Sequence, residues 1–423
     1  MLQLPPAMTA ALPLLHRLHD HQFEGVFVGG AVRDTVLGLP LKDIDIATSA
    51  SPQQVMAIFP KCIPTGLAHG TVTVVHDGIG YEVTTYRIES GYRDCRKPDH
   101  VAFIDNLDQD LIRRDFTMNA MAIRQDGALY DPYGGMVDLR LQRLRPVGAG
   151  DERFQEDALR MLRAIRFLAV YRLYPTASLW RALIRHRELM RHIAMERVQA
   201  ELDKMIGSDA PASALGWLGG SRLLNYTKEE LPWTPQDHEA LKSSRLDLLD
   251  SLDERWASIF IALSYTADKV KSALKSLRFG NHRIRFIYSI IHVDAIMAVA
   301  TVESERRSAW LNVVLAHGEA IAHSWLRCAQ AAGCAPLHRD TEQLEGLRRQ
   351  LLEMPVRTLK ELQVNGNDLC RSLGMRKGPW VRELLQLLLS EAASGELPNT
   401  EAELLERANI WRTEVNIDEQ SNP

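Results

Sequence analysis

The sequence predicts an α+β protein with a small mixed-sheet head followed by an all-α neck, body and tail. Short β-rich runs, separated by glycine-rich or polar turns, are almost confined to the part before residue 147. From residue 151 onward, apolar residues recur every three or four positions, which is the period of an amphipathic helix. Because 423 residues are too many for one hydrophobic core, roughly two to four domains are expected.

The predicted head, neck, body and tail cover residues 1–148, 149–210, 211–320 and 321–423. A first helix is predicted over residues 8–21, and a second over 51–59, where Ser51 can cap the helix and a proline follows it. Strands are predicted over residues 25–28, 43–48, 71–75 and 81–87. Long helices are predicted farther along, among them 154–174, 254–275 and 305–330.

The charge balance argues against a protein that holds a polyanion through its total charge. There are 50 Lys and Arg residues against 54 Asp and Glu residues, a formal net charge of −4. Binding to RNA would therefore require basic residues gathered on one face. The five cysteines form no CxxC pair, which is typical of a reducing compartment such as the cytoplasm. We expect neither a signal peptide nor a membrane span.

The first chemical motif is a glycine turn, VGGAVRD at residues 28–34, between a predicted strand and a predicted helix. Gly30 lets a phosphate approach backbone N–H groups, and the start of a helix near residue 31 favours negative charge there. Arg33, in the first helical turn, can donate a charge-assisted hydrogen bond to the same phosphates. Alone, a Gly-Gly turn is a weak signal of function.

The second part of this motif is KDIDIAT at residues 42–48. Asp43 and Asp45 are two residues apart on a predicted strand, so both carboxylates are expected on one side. Two such carboxylates can bind Mg²⁺, and a pair of ions can activate a 3′-hydroxyl and stabilise a pyrophosphate leaving group. Glu82, on another predicted strand, is a candidate third catalytic carboxylate, with a surface glutamate as the alternative.

A third motif, LIRRDFTMNAMAI at residues 111–123, places Arg114 and Asp115 ahead of a predicted helical run. The two side chains could form a salt bridge with a helix cap, or they could recognise the hydroxyls of a ribose. The following segment, residues 130–145, is interpreted as a turn and a solvated basic strand.

A fourth motif, FQEDALRMLRAIRF at residues 154–167, spaces one acid and three arginines by three residues each: Asp157, Arg160, Arg163 and Arg166. On one helix these residues would form a polar ridge, with a carboxylate and a guanidinium one turn apart that can face a base edge. The alternative is an ion pair on a solvated helix. Three arginines with one acid would leave unpaired positive charge, which a triphosphate or RNA backbone would neutralise.

Together, these motifs resemble the class II nucleotidyltransferases of the DNA polymerase β superfamily. That group contains bacterial and eukaryotic CCA-adding enzymes and bacterial poly(A) polymerases. The resemblance runs in order through residues 28–167, and residues 196–205 are similar to the helix that follows in the same family. The segments 362–369, 374–385 and 396–404 are similar to the carboxy-terminal region of Bacillus-type CCA-adding enzymes.

The resemblance implies a polymerase β-like head and a role for each motif. Asp43 and Asp45 would bind Mg²⁺. Four residues would contact the incoming nucleotide, the last two through its triphosphate: Gly30, Arg33, Arg163 and Arg166.

The resemblance also implies that the protein replaces a nucleic-acid template. Arg114 and Asp115 would contact the ribose. Asp157 and Arg160 would hydrogen-bond the base edges of CTP and then of ATP, because a carboxylate and a guanidinium supply both acceptors and donors. The neck would thus recognise the base, and the tail would bind tRNA.

The implied function is the sequential addition of C, C and A to the 3′ end of tRNA, from CTP and ATP and without a nucleic-acid template. The implied partner is tRNA, contacted at its acceptor end and elbow by a monomer or homodimer. Alternatives within the class are an A-adding enzyme and a bacterial poly(A) polymerase. Residues 89–103, which include Asp94 and Arg96, match a loop that CC-only enzymes lack, and the acidic C-terminus argues against a poly(A) polymerase.

Outside the class, the alternatives are a non-catalytic RNA-binding protein and a small-molecule nucleotidyltransferase. Both Asp43 and Asp45 are present, which disfavours the first. The long helical half disfavours the second, because a small acceptor needs no extended docking surface.

Overall fold

The computed structural model describes residues 2–93, 97–231, 241, 244–333 and 340–414. The chain forms two compact units, Met1–Pro235 and Gln236–Pro423. This division does not test the four predicted domains, which stay a prediction. The fold class predicted from the sequence, a mixed-sheet head followed by helices, is confirmed.

The strands of the first unit are β1 (Gly25–Val28), β2 (Asp45–Thr48), β3 (Cys62–Gly66), β4 (Thr71–His76), β5 (Ile79–Thr85), β6 (Arg87–Arg93), β7 (Lys97–Phe103), β8 (Ala122–Ile123), β9 (Leu129–Tyr130), β10 (Arg143–Leu144) and β11 (Tyr174–Pro175). The main sheet has the order β3-β4-β5-β2-β1-β8-β9 in the described part of the chain, and β6 and β7 form a separate antiparallel hairpin. The helices of this unit are α1 (Pro6–Asp20), α2 (Gly30–Leu37), α3 (Pro52–Ile58), α4 (Leu107–Ile112), α5 (Gly135–Arg140), α6 (Gly150–Glu156), α7 (Leu159–Val170), α8 (Ala177–His186), α9 (Met195–Ile206) and α10 (Pro211–Ser221).

The centre of the main sheet brings the catalytic motifs together. β1 pairs with β2 in the antiparallel sense, and β2 pairs with β5 in the parallel sense, with Asp45 opposite Glu82. The prediction of a strand from residue 43 was wrong by two residues. Val28 and Asp45 form the last pair of β1 and β2, because β1 ends where Gly29 turns the chain into α2. Asp43 therefore precedes the strand.

The predicted helix over residues 154–174 is broken at Asp157, which has extended backbone angles (φ −143°, ψ 104°). The Asp157 carboxylate accepts a hydrogen bond from the Leu159 N–H at 3.1 Å. Such a local bond competes with the helical ladder and is typical of the residues that precede helices. Asp157 thus lies between α6 and α7, and only Arg160, Arg163 and Arg166 share a helix.

Two further local predictions were wrong. The run after Asp115 is not an α-helix but a 3-10 turn (Thr117–Asn119) followed by β8. The Asp115 carboxylate accepts from the N–H of Phe116 at 2.8 Å and from the side-chain amide of Asn119 at 3.0 Å, which holds the tight turn. Residues 130–145 contain helix α5, not only a turn and a strand.

The reason for α5 is a cap that the sequence interpretation missed. The Asp131 carboxylate accepts from the N–H groups of Gly135 and Met136, at 2.7 and 2.9 Å. A carboxylate at this position stabilises the start of a helix. A Cβ atom on Gly135 would lie 2.3 Å from the Thr117 carbonyl oxygen, so this helix packs directly on the 3-10 turn.

The helices of the second unit are α11 (Leu252–Ala262), α12 (Ala267–Ser276), α13 (Asn281–Val299), α14 (Glu303–His317), α15 (Glu319–Ala332), α16 (Thr341–Glu353), α17 (Gly366–Leu373), α18 (Trp380–Ser394) and α19 (Glu401–Glu414). Two predicted helices, 254–275 and 305–330, are each split in two, the second at Gly318 (φ +84°). The core of this unit includes fully buried Trp256, Trp310 and Trp325. None of the helices within the described ranges has both the length and the hydropathy needed to cross a bilayer.

Candidate active site

The glycine turn brings a cation and a carboxylate close to the start of α2. Gly29 has a positive φ of 68°, a conformation that favours glycine. A Cβ atom at this position would lie 3.3 Å from both the Arg114 Nη1 and the Asp45 Oδ2 atoms. The turn therefore lets these two side chains approach the backbone N–H groups that open α2.

The three carboxylates of the first motif lie around one cavity of about 510 Å³, whose lining includes Asp43, Asp45 and Glu82. Burial raises the pKa of Asp45, and the negative charges of Glu82 and Asp43 raise it further, against the positive charges of Arg114 and Arg33. Within the described residues, none of the three carboxylates forms a salt bridge.

This carboxylate set fits a divalent cation with few protein ligands. Within the described ranges, no three His, Cys, Asp or Glu side chains converge closely enough to hold a metal by themselves. Mg²⁺ is commonly bound by one or two carboxylates, with substrate phosphates and water completing its shell. Such a cation would relieve the repulsion at Asp45, which has Asp43 beside it.

A second cavity of about 460 Å³ contains all the predicted nucleotide contacts. Its lining includes, among the residues predicted from the sequence, Gly30, Arg33, Arg114, Asp115, Asp157, Arg160, Arg163 and Arg166. Asp45 also lines this cavity, so it belongs to both. Asp43 and Glu82 line only the first. The structure thus places all the predicted site residues around two cavities that meet at Asp45.

Arg33 is held on both sides by neighbouring side chains. Its Nε and Nη2 donate to the Asp34 carboxylate at 2.9 and 3.0 Å, and its Nη1 donates to the Asn119 Oδ1 at 2.7 Å. The guanidinium also lies over the Tyr171 ring, 4.3 Å from its centroid. Burial raises the pKa of Tyr171 to about 12, so this ring stays neutral.

Asp115 lines the same cavity with a buried carboxylate. Its Oδ2 accepts from Arg163 Nη2 at 2.6 Å, and its Oδ1 accepts from the Asn119 amide. Burial alone would raise the pKa of Asp115, but the Arg163 charge and the hydrogen bonds from Asn119 and Arg163 lower it to about 2. Its partner is therefore Arg163 and not the adjacent Arg114, which pairs with Asp110.

The arginine ridge does not carry the unpaired charge that the sequence suggested. Each arginine has a carboxylate partner: Arg160 with Glu156 at 2.6 Å, Arg163 with Asp115 at 2.6 Å and Arg166 with Glu201 at 2.8 Å. Asp115 and Glu201 are distant in the chain, so a linear spacing rule does not reveal them, whereas Glu156 precedes Arg160 by four residues. The cavity is therefore lined with arginines whose positive charge is balanced locally.

Asp157 and Arg160 face the cavity from different elements, so their prediction as a pair one helical turn apart was wrong. Asp157 is bound by Arg197 of α9, with Nη2–Oδ2 at 2.9 Å and Nη1–Oδ1 at 3.3 Å. Arg160 donates from its Nη2 to the Arg113 carbonyl at 3.0 Å. Arg197 itself lines the cavity.

Sequence interpretation missed several residues that hold the site together: Asn119, Asp110, Arg197 and Glu201. Asn119 links Arg33 to Asp115, two predicted nucleotide contacts that lie 82 positions apart, and it follows Asp115 by four residues. Arg197 and Glu201 are four residues apart on α9, which places them on one face. That spacing, within the segment 196–205, was the available signal.

The hairpin of β6 and β7 corresponds to the segment predicted as a loop at residues 89–103. Asp94 and Arg96, on which the argument against a CC-only enzyme rested, lie outside the described residues. The hairpin base is joined to the cavity through Glu89, which pairs with Arg113 at 3.3 Å.

A glycine turn opening a helix, clustered carboxylates on adjacent strands and an arginine-lined cavity together define a nucleotidyltransferase of the polymerase β type. In agreement, residues 26–145 match the family model described as the poly A polymerase head domain. Residues 176–233 match the family model described as "Probable RNA and SrmB-binding site of polymerase A", and residues 248–408 match the one described as "tRNA nucleotidyltransferase domain 2 putative".

Proteins of known identity place the chain more narrowly. It is 36% identical to the CCA-adding enzyme of Geobacillus stearothermophilus over 99% of this chain and 100% of that one. It is 37% identical to the CCA-adding enzyme of Anoxybacillus flavithermus over 94% and 96% of the two chains. The chain therefore belongs to the CCA-adding enzyme family of tRNA nucleotidyltransferases.

Solved structures agree with this assignment. The crystal structure of the Bacillus stearothermophilus CCA-adding enzyme in complex with CTP has a TM-score of 0.83 at 35% identity, covering 97% of this chain and 100% of that one. The Thermotoga maritima CCA-adding enzyme complexed with tRNA has a TM-score of 0.70 at 20% identity, covering 96% of each chain, and shares the fold. The sequence-based prediction of a Bacillus-type CCA-adding nucleotidyltransferase is thus confirmed.

Proposed function

We propose that this enzyme adds C, C and A in turn to the 3′ end of tRNA, taking CTP and ATP into the arginine-lined cavity and the acceptor end into the carboxylate-lined cavity. The observation that carries the proposal is the position of Asp45, which lines both cavities. A residue that serves two substrates must lie between them, because the attacking hydroxyl and the α-phosphate have to meet within about 3–3.5 Å.

The metal is proposed to be Mg²⁺, with Asp43 and Asp45 as its protein ligands. When bound there, Mg²⁺ lowers the pKa of the attacking 3′-hydroxyl and neutralises charge on the leaving pyrophosphate. Glu82 lies opposite Asp45 across the two strands and would maintain the negative potential that attracts the ion. Burial raises the pKa of Asp45, and the negative charge of Glu82 raises it further, which supports a role for Glu82 as third catalytic carboxylate.

The triphosphate is proposed to bind the arginines beside the carboxylates that neutralise them. Arg163 and Arg166 hold Asp115 and Glu201 at one end of their guanidinium groups, which leaves other N–H donors for phosphate oxygens. Arg33 and the N–H groups near Gly30 would bind phosphates at the start of α2. The triphosphate would thus enter a cavity in which the arginine side chains are already oriented.

Sugar and base are proposed to lie farther into the same cavity. Arg114 and Asp115 would contact the ribose. Asp157 and Arg160 would read the base edge, because a carboxylate accepts and a guanidinium donates, which distinguishes cytosine and adenine from the other bases. Asp157 is paired with Arg197, and Arg160 is paired with Glu156. Recognition of a base would therefore require both side chains to change partners.

The acceptor end is proposed to approach from the carboxylate-lined cavity. Besides the three carboxylates, its lining includes Lys42 and the exposed apolar side chain of Ile79. Lys42 can bind a backbone phosphate, and Ile79 can pack against a terminal base. The remainder of the tRNA would bind the predicted neck and tail, residues 149–210 and 321–423, and we expect the enzyme in the cytoplasm, where tRNA is processed.

The test is extension of a tRNA that ends at the discriminator base, with Mg²⁺ and with CTP, ATP or both. Products are resolved at single-nucleotide length, and Asp43→Ala/Asp45→Ala serves as the blank. Two additions with CTP alone, and a stop after three with both nucleotides, are expected. A long ladder with ATP alone would identify a poly(A) polymerase, and addition of one A only to a tRNA ending in CC would identify an A-adding enzyme.

A further inference from the structure

One aromatic ring lies among the arginines that are proposed to bind the triphosphate. Phe167, on α7, lines the arginine-lined cavity although its side chain is only 2% exposed. In the described part of the chain, the Cζ atoms of Arg166, Arg163 and Arg33 lie 4.3, 5.3 and 5.5 Å from the centroid of this ring. A guanidinium within about 6 Å of an aromatic centroid is attracted by the negative charge of the ring face.

The sequence brings these groups together from two helices. Arg163 and Phe167 are four residues apart on α7, so their side chains share a face of the helix, and Arg166 directly precedes the ring. Arg33 comes from α2, the helix that the glycine turn opens. The ring of Tyr171, directly after α7, lies 4.3 Å from the same Arg33 guanidinium. Two aromatic rings therefore connect the start of α2 with α7.

The ring holds the arginines in a different way from their carboxylate partners. Asp34, Asp115 and Glu201 each accept an N–H from one of the three guanidinium groups, at 2.9, 2.6 and 2.8 Å, and balance its charge. An aromatic face attracts a cation without adding a formal negative charge and without accepting the N–H groups in the guanidinium plane. The ring thus favours a close arrangement of the arginines and leaves their donors for phosphate oxygens.

The core of the first unit fixes the ring itself. The Phe116 ring, which is 1% exposed, meets the Phe167 ring edge to face, with centroids 5.7 Å apart and an angle of 88° between the planes. Such pairs are stabilised by the charge distribution of the two rings. Phe116 directly follows Asp115, the carboxylate that pairs with Arg163. One segment therefore supports both the ring and the counter-charge of this arginine.

We propose that Phe167 is a positioning residue for the triphosphate, whose ring gathers Arg33, Arg163 and Arg166 into an arrangement that one triphosphate can bridge. The inference rests on the proposed binding of the triphosphate by these arginines. Three like charges repel one another, and the ring offsets part of this repulsion. Affinity falls in proportion to the fraction of molecules in which the binding groups are correctly arranged, so a weaker attraction to the ring raises the dissociation constant. Because CTP and ATP share the triphosphate, both are affected equally.

The test replaces Phe167 with phenylalanine that carries one, two or three ring fluorines. Fluorine withdraws electrons from the ring face, which weakens the attraction for a cation in steps while the shape and apolar character of the side chain change little. The dissociation constant of CTP, titrated without tRNA, should rise with each fluorine, by about tenfold in the trifluorinated protein. ATP and inorganic tripolyphosphate should lose affinity by the same factor. The ratio of CTP to ATP affinity should stay unchanged.

Phe279, in the second unit, is the matched control. Its side chain is 6% exposed, its ring centroid lies 4.2 Å from the Arg283 Cζ atom, and the Trp256 ring meets it edge to face at 5.3 Å. The same fluorine series at Phe279 should leave the affinity for CTP and tripolyphosphate unchanged. Thermal unfolding of each protein reports any loss of structure.

Phe167→Leu is a second variant, which keeps an apolar side chain and removes the ring. CTP should bind to it at least as weakly as to the trifluorinated protein. Unchanged affinity throughout the fluorine series, in protein that unfolds at the wild-type temperature, would overturn the proposal. A loss of affinity in Phe167→Leu without any trend in the fluorine series would assign the ring to packing alone, and would overturn it equally. So would the same trend at Phe279.

Titration in the absence of tRNA also separates this inference from the proposed function. If the wild-type protein binds CTP but extends no tRNA, the proposed function fails, and the inference still predicts the loss of affinity with each fluorine. If the wild-type protein extends tRNA but all the fluorinated proteins bind CTP equally well, only the inference fails.

Discussion

The two cavities that share Asp45 differ in how the charges of their lining residues are balanced. On the nucleotide side, the arginines of α7 are each balanced by a carboxylate from another part of the first unit. On the other side, Asp43, Asp45 and Glu82 repel one another, and the pKa of Asp45 is raised in consequence of burial and of its neighbours. The charges of the first cavity are thus balanced within the protein, whereas the second would gain stability from an added cation.

Asp45→Ala is the strongest test of this difference between the two cavities. Loss of this proposed metal ligand should lower the rate of extension by about 10³-fold, since a bound ion supplies several kcal/mol of transition-state stabilisation. The thermal midpoint should stay the same or rise, because one of three repelling carboxylates is gone. Single-turnover extension and calorimetry measure the two effects, with exposed Asp20→Ala as control. A marked loss of stability would show that the carboxylate set is not under electrostatic strain.

Removing a positive charge from the arginine-lined cavity should lower the free energy of unfolding, in contrast to Asp45→Ala. Arg163→Met leaves Asp115 buried without its cation, and the expected loss in the free energy of unfolding is about 3 kcal/mol. Chemical denaturation measures this loss. The control is Arg185→Met, whose partner Asp151 is much more exposed, and which should change stability by less than about 1 kcal/mol.

The same pair predicts a dependence on pH. The pKa of Asp115 is lowered to about 2 in the folded protein, so the pair stabilises the fold above the ordinary carboxylate pKa near 4 and loses this contribution as pH falls towards 2. Between these limits the slope of unfolding free energy against pH should be smaller in Arg163→Met than in the wild type. Identical slopes would exclude Asp115 as a titrating contributor.

Selectivity for the incoming nucleotide tests whether side chains of the arginine-lined cavity recognise the base. Asp157→Ala should reduce the discrimination between correct and incorrect nucleotides by about tenfold to a hundredfold, because a good base contact contributes about 1–3 kcal/mol. It should weaken metal binding much less, since Asp157 lines only the nucleotide cavity. The ratio of kcat/KM for CTP and ATP against UTP and GTP is the measurement. Unchanged selectivity would remove Asp157 from base recognition.

The smallest expected effect belongs to the carboxylate side. Lys42→Ala should raise KM for tRNA about twofold to threefold and reduce its dependence on salt, because one phosphate contact is lost. KM for CTP should not change, since Lys42 lines only the carboxylate-lined cavity. Steady-state kinetics at two salt concentrations provide the test. A change confined to KM for CTP would reverse the proposed assignment of the two substrates.

The two cavities also differ in how far the sequence predicted them. The glycine turn, Asp43 and Asp45 lie close together in the chain, so local spacing indicated their shared position. Two of the three arginine partners could not be predicted in this way: Asp115 is 48 residues from Arg163, and Glu201 is 35 residues from Arg166. Such pairs depend on how α7 packs against the head and against α9.

Helix periodicity failed where polar side chains bind nearby backbone groups. Asp115, Asp131 and Asp157 each accept from an N–H one to four residues farther along, and each lies where a predicted helix or strand was wrong. The strong periodic pattern of apolar residues gave no sign of these interruptions, because the buried positions continue on both sides of them. Asx-type capping would have been the local signal.

The interruption at Asp157 has a mechanical consequence. In an unbroken helix, the distance and angle between residues three apart are set by the backbone, so two side chains on it can present only one pattern of donors and acceptors. Between α6 and α7 this constraint is absent, because the backbone of Asp157 is extended and its side chain is not related to that of Arg160 by the helical repeat. If Asp157 and Arg160 read the base as proposed above, this independence would let the same two side chains match a pyrimidine and then a purine.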